Sequence, residues 1–337
     1  MTALSEVDMA SVPGSCSLKK LGTSNKEIFK YKDGSFDLDR LRIVYHTVKH
    51  RFETLASGEL VCDPLYVFVK PEAHKASKLV EGRLRLIAGV SLIDNLVDRV
   101  LFRSIVKTIQ KNVGNHPIAV GWSPVVGTVP FHLWNGYHES WFSADKSHWD
   151  WSVQAWLIKI IKNVLIGLVA DPPVWWKEMV QLRFDALFGS PVWEFQDGYR
   201  VVQQTPGIIK SGCYLTIWIN SIGQMILHHL VSSKLDIPLD LPFMCLGDDT
   251  IQVLPPEIEK QYVEELENLG FSVKIQRTEV PEFCGFHIHR FFHVPAYVPK
   301  HVFLLRHLSL DRDIASATLA SYQLLYANHP TMLKLVR

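Results

Sequence analysis

The chain has 337 residues, 47% of them hydrophobic, enough to bury a large core in one big domain or two to three subdomains. Its 35 Lys and Arg nearly balance 34 Asp and Glu, giving a net charge of +1, so any affinity for nucleic acid has to come from local clustering rather than a global cationic excess. Five scattered cysteines, Cys16, Cys62, Cys213, Cys245 and Cys284, show no CxxC spacing, which argues against a disulfide scaffold or a zinc site and fits a reducing compartment.

Met1 to Ser24 is polar, carries Lys19 and Lys20, and lacks an apolar core of signal-peptide length. Asp37 to Thr54 reads as a helix ending near Gly58, and Leu65 to Val69 as a β-branched and aromatic strand. The next segment, Lys70 to Arg85, sets Lys70, Lys75, Lys78, Arg83 and Arg85 against Glu72 and Glu81, a local balance of +3. On extended chain such alternation holds a row of cations that can contact phosphates; a solvated face is the competing reading. Leu86 to Val90 reads as a second strand. Ser91 and Asp94 can cap a core-packing helix with apolar positions Ile93, Val97, Val100, Leu101, Ile105 and Ile109. Residues 113–135, rich in Gly, Pro and Trp, read as a loop joining the first subdomain to the rest.

Trp141 to Ser152 runs from a strand into a helix with apolar residues from Val153 through Leu168. Asp145 at the strand end and Asp150 five residues on stand at one rim of a sheet, although a lone Asp there is also a common N-cap or turn former. Lys159, Lys162 and Asn163 interrupt the helix, so it lacks the roughly 20 apolar residues of a membrane span. Asp171-Pro172-Pro173 ends it, because proline cannot continue a helix. Residues 174–205 read as an aromatic insertion without an assignable pattern. Gly207 to Cys213 is a glycine-containing flexible loop leading into a helix from about Tyr214 to Ser232. Thr216 and Asn220, four apart, share a helix face and need partners; intrahelical bonding of Thr216 and a satisfied core Asn220 is the plain alternative.

Leu241 to Leu246 and Thr250 to Leu254 are β-prone runs separated by Gly247-Asp248-Asp249, a hairpin tip that presents adjacent carboxylates. Oxygen ligands of this kind suit Mg²⁺ or Mn²⁺, which usually take one or two protein carboxylates and leave other positions to water and phosphates. By itself Gly-Asp-Asp is also an ordinary turn sequence. Pro256 to Asn268 reads as an amphipathic helix closed by Gly270, Phe271 to Ile275 as a strand, and Glu282 to Ile288 as one half of a further hairpin. Val302 to Leu305 reads as a strand, and Ile314 to Tyr326 as a helix.

Taken in order, these motifs resemble viral RNA-dependent RNA polymerases, specifically those of positive-strand RNA viruses in the sobemovirus and luteovirus-like group. The resemblance covers roughly Leu65 to Ile288. It rests on Asp-x4-Asp at Asp145 and Asp150, Ser-Gly-x3-Thr-x3-Asn-Ser at Ser211 to Ser221, Gly-Asp-Asp at Gly247 to Asp249, Gly-Arg-x-Arg-Leu-Ile at Gly82 to Ile87, and Glu-Phe-Cys-Gly at Glu282 to Gly285. It implies an α+β right-handed polymerase fold: N-terminal segment and fingers over 1–140, a palm with an antiparallel sheet over 141–286 with a fingers insertion near 172–206, and a short thumb over 287–337. About 50 residues follow Phe286, which implies a minimal polymerase or a piece of a longer polyprotein and leaves processivity and initiation mode open.

The resemblance also implies site roles. Asp145 and Asp248, with Asp249 close by, would hold two Mg²⁺ or Mn²⁺ ions for nucleotidyl transfer. Asp150 and Asn220, supported by Thr216, would read the ribose 2′-hydroxyl of the incoming nucleotide. Ser211 and Gly212 would form a mobile loop beside the template, glycine supplying freedom. Lys70, Arg83 and Arg85, with Lys75 or Lys78, would grip the triphosphate. Lys274 is the candidate acid for the leaving pyrophosphate, with Arg277 nearby. Glu282 to Phe286 would grip the primer strand, with Cys284 packed rather than reactive.

The partners implied are an RNA template, nascent RNA and ribonucleoside triphosphates, with other viral replication proteins. The place implied is the host cytoplasm, in membrane-associated replication complexes to which other proteins recruit a chain without an anchor of its own. An inactive polymerase-derived RNA-binding protein and a reverse transcriptase are the alternatives. The latter usually has Tyr-x-Asp-Asp at the hairpin and lacks the Ser-Gly-x3-Thr-x3-Asn pattern.

Overall fold

The structure, a computed structural model, describes residues 2–73, 76–125, 141–289 and 292–337. Lys75 and residues 126–135 of the junction loop lie outside the described residues. The chain divides into two compact units, Met1–Thr108 with Asp150–Ile219, and Ile109–Trp149 with Asn220–Arg337. Both mix helices with sheets whose pairing is almost entirely antiparallel.

In the first unit a four-stranded sheet runs in the order Leu86–Gly89, Leu65–Val69, Val192–Glu194, Arg200–Val202. The pairing of Leu65 with Trp193 and Tyr66 with Glu194 is its one parallel contact among the described residues. Helix Leu38–Ala56 starts where the Asp37 side chain accepts from Arg40 N, and the chain leaves it through Gly58 at φ +90°. Helix Leu92–Lys111 opens on Ser91, whose Oγ accepts from Asp94 N at 3.1 Å. It buries Val97, Leu101 and Phe102, whereas Val100, one step around the helix from Leu101, is 56% exposed.

Residues 174–205 differ from the unpatterned insertion expected. They form helix Val174–Phe188 and a hairpin, Val192–Glu194 with Arg200–Val202, that completes the sheet. The helix buries Trp176, Met179, Val180, Phe184 and Leu187 at helical spacing, with Arg183 in the middle of the stripe. Arg183 is 1% exposed and binds Asp98 through Nε (2.5 Å) and Nη2 (3.0 Å), and Asp94 through Nη1 (3.1 Å). Arg51 bridges Asp94 and Asp63 at 2.8 Å each, and Ser91 Oγ donates to Asp63. Buried charges persist only when paired, and this network pairs them across three helices.

The basic segment also differs. The expected extended row is broken by helix Ala76–Val80 and a turn at Gly82 with φ +64°. Its acids explain the compaction: Lys70 (2.9 Å) and Arg85 (3.6 Å) both pair with Glu72, and Arg83 pairs with Glu81.

The second unit is built on an antiparallel sheet in the order Phe243–Leu246, Asp249–Gln252, Trp141–Lys146, Val273–Thr278. Trp141, Met244 and Ile251 from this sheet share a core with Phe283, Phe286 and Ile288. Glu282 to Ile288 is a complete hairpin, not half of one: Phe283 pairs with Phe286 across Cys284 (φ +51°) and Gly285 (φ +76°). Positive φ at both central positions is the twist of a type I′ turn. His293–Pro295 adds a third strand to it. Val302 to Leu305, expected as a strand, lies in helix Val298–Leu305, which starts with Pro299 in its first turn, where a missing N–H costs nothing. Helices Arg312–Leu325 and Pro330–Val336 follow. Among the described residues no helix is long and apolar enough to cross a membrane.

Candidate active site

Strand Trp141–Lys146 alternates, as a one-sided strand must: Phe142, Ala144 and Lys146 are buried, while Asp145 emerges on the open face. Cross-strand from Asp145 stands Lys274. On the other side, Phe142 pairs with Gln252, and continuing that register brings Asp249 to the level of Asp145. Thr250 Oγ1 donates to Ala144 O (3.2 Å) and holds the two strands together there.

Leu246 pairs with Asp249, which leaves Gly247-Asp248 as a two-residue turn. Gly247 takes φ +66°, the left-handed value that primed hairpin turns require and that glycine adopts without strain. Its N–H donates to Ser221 Oγ (2.9 Å), and the Cys245 thiol donates to Ser221 O (3.3 Å), so Ser221 pins the tip through both its side chain and its carbonyl. Asn220 itself is 6% exposed, and its Oδ1 has no hydrogen-bond partner among the described residues.

The carboxylates crowd one another. Asp249 reaches solvent, yet the protein packed around it withdraws water from its carboxyl, and the charges of Asp248, Asp145 and Glu282 add to the penalty. Its pKa is pushed up to about 6, against which the Cys284 thiol donates a hydrogen bond. The same burial and the Asp249 charge push the Cys284 thiol far above its usual range, so it acts as a donor and not as a nucleophile. Lys146, on the buried face, donates to Ala144 O at 3.1 Å. Burial lowers its pKa to about 8, with the charges of Asp145 and Asp248 among those holding it up.

These donors fit a hard divalent cation: oxygen ligands only, with a mutual repulsion that a cation relieves. They form no closed cage, since among the described residues no group of three or more His, Cys, Asp or Glu is gathered tightly enough to hold a metal ion. That suits an ion that keeps water and substrate oxygens in its shell.

The sequence-derived residues therefore fall into two sets. Asp145, Asp249 and Lys274 lie on one sheet of the second unit and Asp248 in its hairpin turn, with Asn220 on the helix Thr216–Lys234 and in the same unit. Lys70, Arg83, Arg85, Asp150, Ser211, Gly212 and Thr216 belong to the first. There Lys70 N donates to Arg85 O (2.8 Å), and Asp150 O accepts from Ile209 N (2.7 Å) at the base of the loop. The loop is docked on strand Leu86–Gly89: Ala88 N donates to Ser211 Oγ, and Gly212 N donates to Ala88 O, both at 2.9 Å. A Cβ on Gly212 would lie 2.7 Å from Ala88 O, so glycine is needed here for close approach. Thr216 Oγ1 reaches Lys210 O (2.6 Å) and Cys213 O (2.8 Å), which fixes the same loop. Lys210 is fully buried and donates to Gln203 Oε1 and to the carbonyls of Gly207 and Ile208 at 2.7–3.0 Å. Sequence reasoning missed Lys146 and Lys210. A cation at a strand position of buried parity beside Asp145 was the available signal for the first; a lysine inside a loop gives none.

Exposed carboxylates crowded on an antiparallel sheet are the chemistry of divalent-cation-assisted phosphoryl transfer. The chain belongs to the viral RNA-dependent RNA polymerase family, whose profile matches residues 1–319. It is 33% identical over 261 residues to Protein P1-P2 of Potato leafroll virus, covering 71% of this chain and 23% of that protein. It is 29% identical over 276 residues to Replicase polyprotein P2AB of Cocksfoot mottle virus, covering 76% and 27%. Protein P2-P3 of Poinsettia latent virus is 29% identical over 294 residues, covering 82% and 24%. The chain spans about a quarter of the length of these relatives.

Proposed function

We propose that this chain synthesises RNA from ribonucleoside triphosphates on an RNA template and so replicates a viral RNA genome. The observation that carries this reading is the Asp248-Asp249 turn, pinned by Ser221 and registered against Asp145, in a chain of the polymerase family. Asp145 and Asp248, with Asp249 beside them, would hold Mg²⁺ or Mn²⁺, which when bound stabilises the attacking 3′-hydroxyl and the leaving pyrophosphate. Lys274, cross-strand from Asp145, holds the proton that the pyrophosphate takes up. Asn220, with its unpartnered buried Oδ1, and Asp150 read the ribose 2′-hydroxyl. Thr216 acts on the Ser211-Gly212 loop through its bonds to Lys210 and Cys213, and that loop borders the template. Lys70, Arg83 and Arg85 exchange Glu72 and Glu81 for the triphosphate. In this reading the parts are fingers, palm and short thumb, and other viral proteins supply any membrane attachment.

The test is incorporation of labelled ribonucleotides on a single-stranded RNA template with Mg²⁺ or Mn²⁺. Product should form with the wild-type chain and vanish in Asp248→Ala, an exposed turn residue whose loss leaves the fold intact. Preference for deoxyribonucleotides would instead indicate a reverse transcriptase. RNA binding without synthesis from a pre-annealed primer would indicate an inert binding protein.

A further inference from the structure

Within the second unit, a cavity of about 590 Å³ opens beside the carboxylates. Asp145, Asp249 and Glu282 line it, and Tyr297, Lys300 and His301, at the start of helix Val298–Leu305, line it as well. Lys300 is the only Lys or Arg among the described lining residues. It is exposed and makes no ion pair with any described residue, although three carboxylates share its cavity. Glu282, which could have claimed it, instead accepts from the Tyr297 hydroxyl and from Gln276 Nε2.

His301 is held differently. Its Nδ1 meets the Tyr326 hydroxyl at 2.7 Å, and its ring stands edge-on to Tyr322 and Tyr326 at 5.4 and 5.7 Å. Burial and the neighbouring Lys300 charge pull it below the usual histidine range, which favours the uncharged imidazole. In the tautomer in which the tyrosine hydroxyl donates to Nδ1, the ring proton sits on Nε2, which is then a neutral donor.

A cation kept free at an acidic cavity calls for an anionic ligand. Under the polymerase reading, on which this inference rests, the attacking group is a 3′-hydroxyl, and the strand that bears it carries a phosphodiester one nucleotide back. The carboxylates that receive the hydroxyl repel that phosphate, so it needs a cation nearby. The cavity falls in the range of about 300–1,000 Å³ typical of small-ligand sites, room enough for one terminal nucleotide. We infer that Lys300, assisted by His301 Nε2, binds the phosphodiester that precedes the 3′-terminal nucleotide of the growing RNA strand.

The test uses the full chain carrying Asp248→Ala, so that no extension occurs during the measurement. Fluorescence anisotropy compares a labelled RNA with a recessed, annealed 3′ end against the same template strand unprimed. Adding Lys300→Ala should weaken binding of the primed RNA about tenfold, the scale of one charge-assisted contact, and leave the unprimed strand unaffected. The slope of log K against log salt for the primed RNA should shrink by about 0.7–0.9, one phosphate contact. Lys300→Arg should restore both, and His301→Phe, which keeps the ring packing, should show a smaller loss of the same selectivity. Equal loss on both RNAs, or no loss on either, overturns the inference. With Asp248 restored, the polymerase reading is judged separately by whether ribonucleotides are incorporated at all; the primed-against-unprimed comparison does not depend on that outcome.

Discussion

Replacing Arg183 by Met should cost more stability than removing any exposed charge. Arg183 is 1% exposed and makes three bonds to Asp98 and Asp94; burial works against its cation, and the two carboxylates outweigh that burial. The surrounding cluster holds three carboxylates, Asp63, Asp94 and Asp98, and one other guanidinium, Arg51. In Arg183→Met, Asp94 keeps Arg51 and Ser91, but among the described residues Asp98 keeps only the weak Cys213 thiol donor at 3.6 Å. An uncompensated buried carboxylate of this kind costs about 3–5 kcal/mol. For a unit of about 180 residues, each kcal/mol moves the melting midpoint by roughly 2–4 °C, so the midpoint should fall by about 10 °C. Thermal unfolding followed by far-UV circular dichroism reads this directly. The control is Arg183→Met with Asp98→Leu, which removes both members of the closest pair and should recover more than half of the loss. A single variant melting within about 2 °C of wild type, or a double variant no better than the single, would refute the idea that this network is held by charge pairing.

Two further outcomes follow from the site. Asp249 has its pKa raised from 3.8 to about 6, so folding favours its neutral form; that favourable contribution is present below about pH 4 and lost as pH rises through 6. Asp249→Asn should therefore melt above wild type at pH 7.5 and equal it near pH 3.5, and millimolar Mg²⁺ should raise the wild-type midpoint more than the variant's; an unchanged or lower midpoint at pH 7.5 contradicts the crowding described. Gly212→Ala places a Cβ 2.7 Å from Ala88 O and 3.0 Å from Gly89 Cα, backbone atoms that cannot swing away. It should cost about 1–3 kcal/mol in urea unfolding, and a variant as stable as wild type would show that the loop shifts freely.

What the sequence shows of the fold is what local chemistry decides. Asp37 and Gly58 bracket a helix because capping and a left-handed exit are settled within a turn of chain. Gly247 marks its hairpin for the same reason. Helix Val174–Phe188 escapes a reading by apolar period because Arg183 occupies the centre of its buried stripe, and only Asp94 and Asp98, more than 80 residues earlier, make that position tolerable. The Glu282–Ile288 hairpin turns on a left-handed cysteine, with none of the Asn-Gly or Asp-Gly chemistry that announces such turns. Val302 to Leu305 is too short an apolar run to tell helix from strand without its flanks. In the site, the acids are evident from residue type and order. That Lys146 lies beneath them follows from strand parity, a signal the sequence does carry, whereas Lys300 shares their cavity through chain packing, which no local pattern encodes.

The two sets of site residues are each strained by charge, and in opposite senses. In the second unit Asp145, Asp248 and Asp249 crowd negative charge until one of them holds its proton nearly to neutrality. In the first, Lys70, Arg83 and Arg85 are occupied by Glu72 and Glu81, through pairs that are substantially exposed. Exposed pairs are worth only about 0–1 kcal/mol each, so they keep the cations ordered without competing seriously against a triphosphate. A bidentate guanidinium–phosphate contact is stronger than what it replaces. Under the proposed function, a free nucleotide brings anions to the lysine and arginines but no cation for the carboxylates, and a free metal ion does the reverse. In that reading the demand for a cation lies with the carboxylates of the second unit and the demand for an anion with the lysine and arginines of the first.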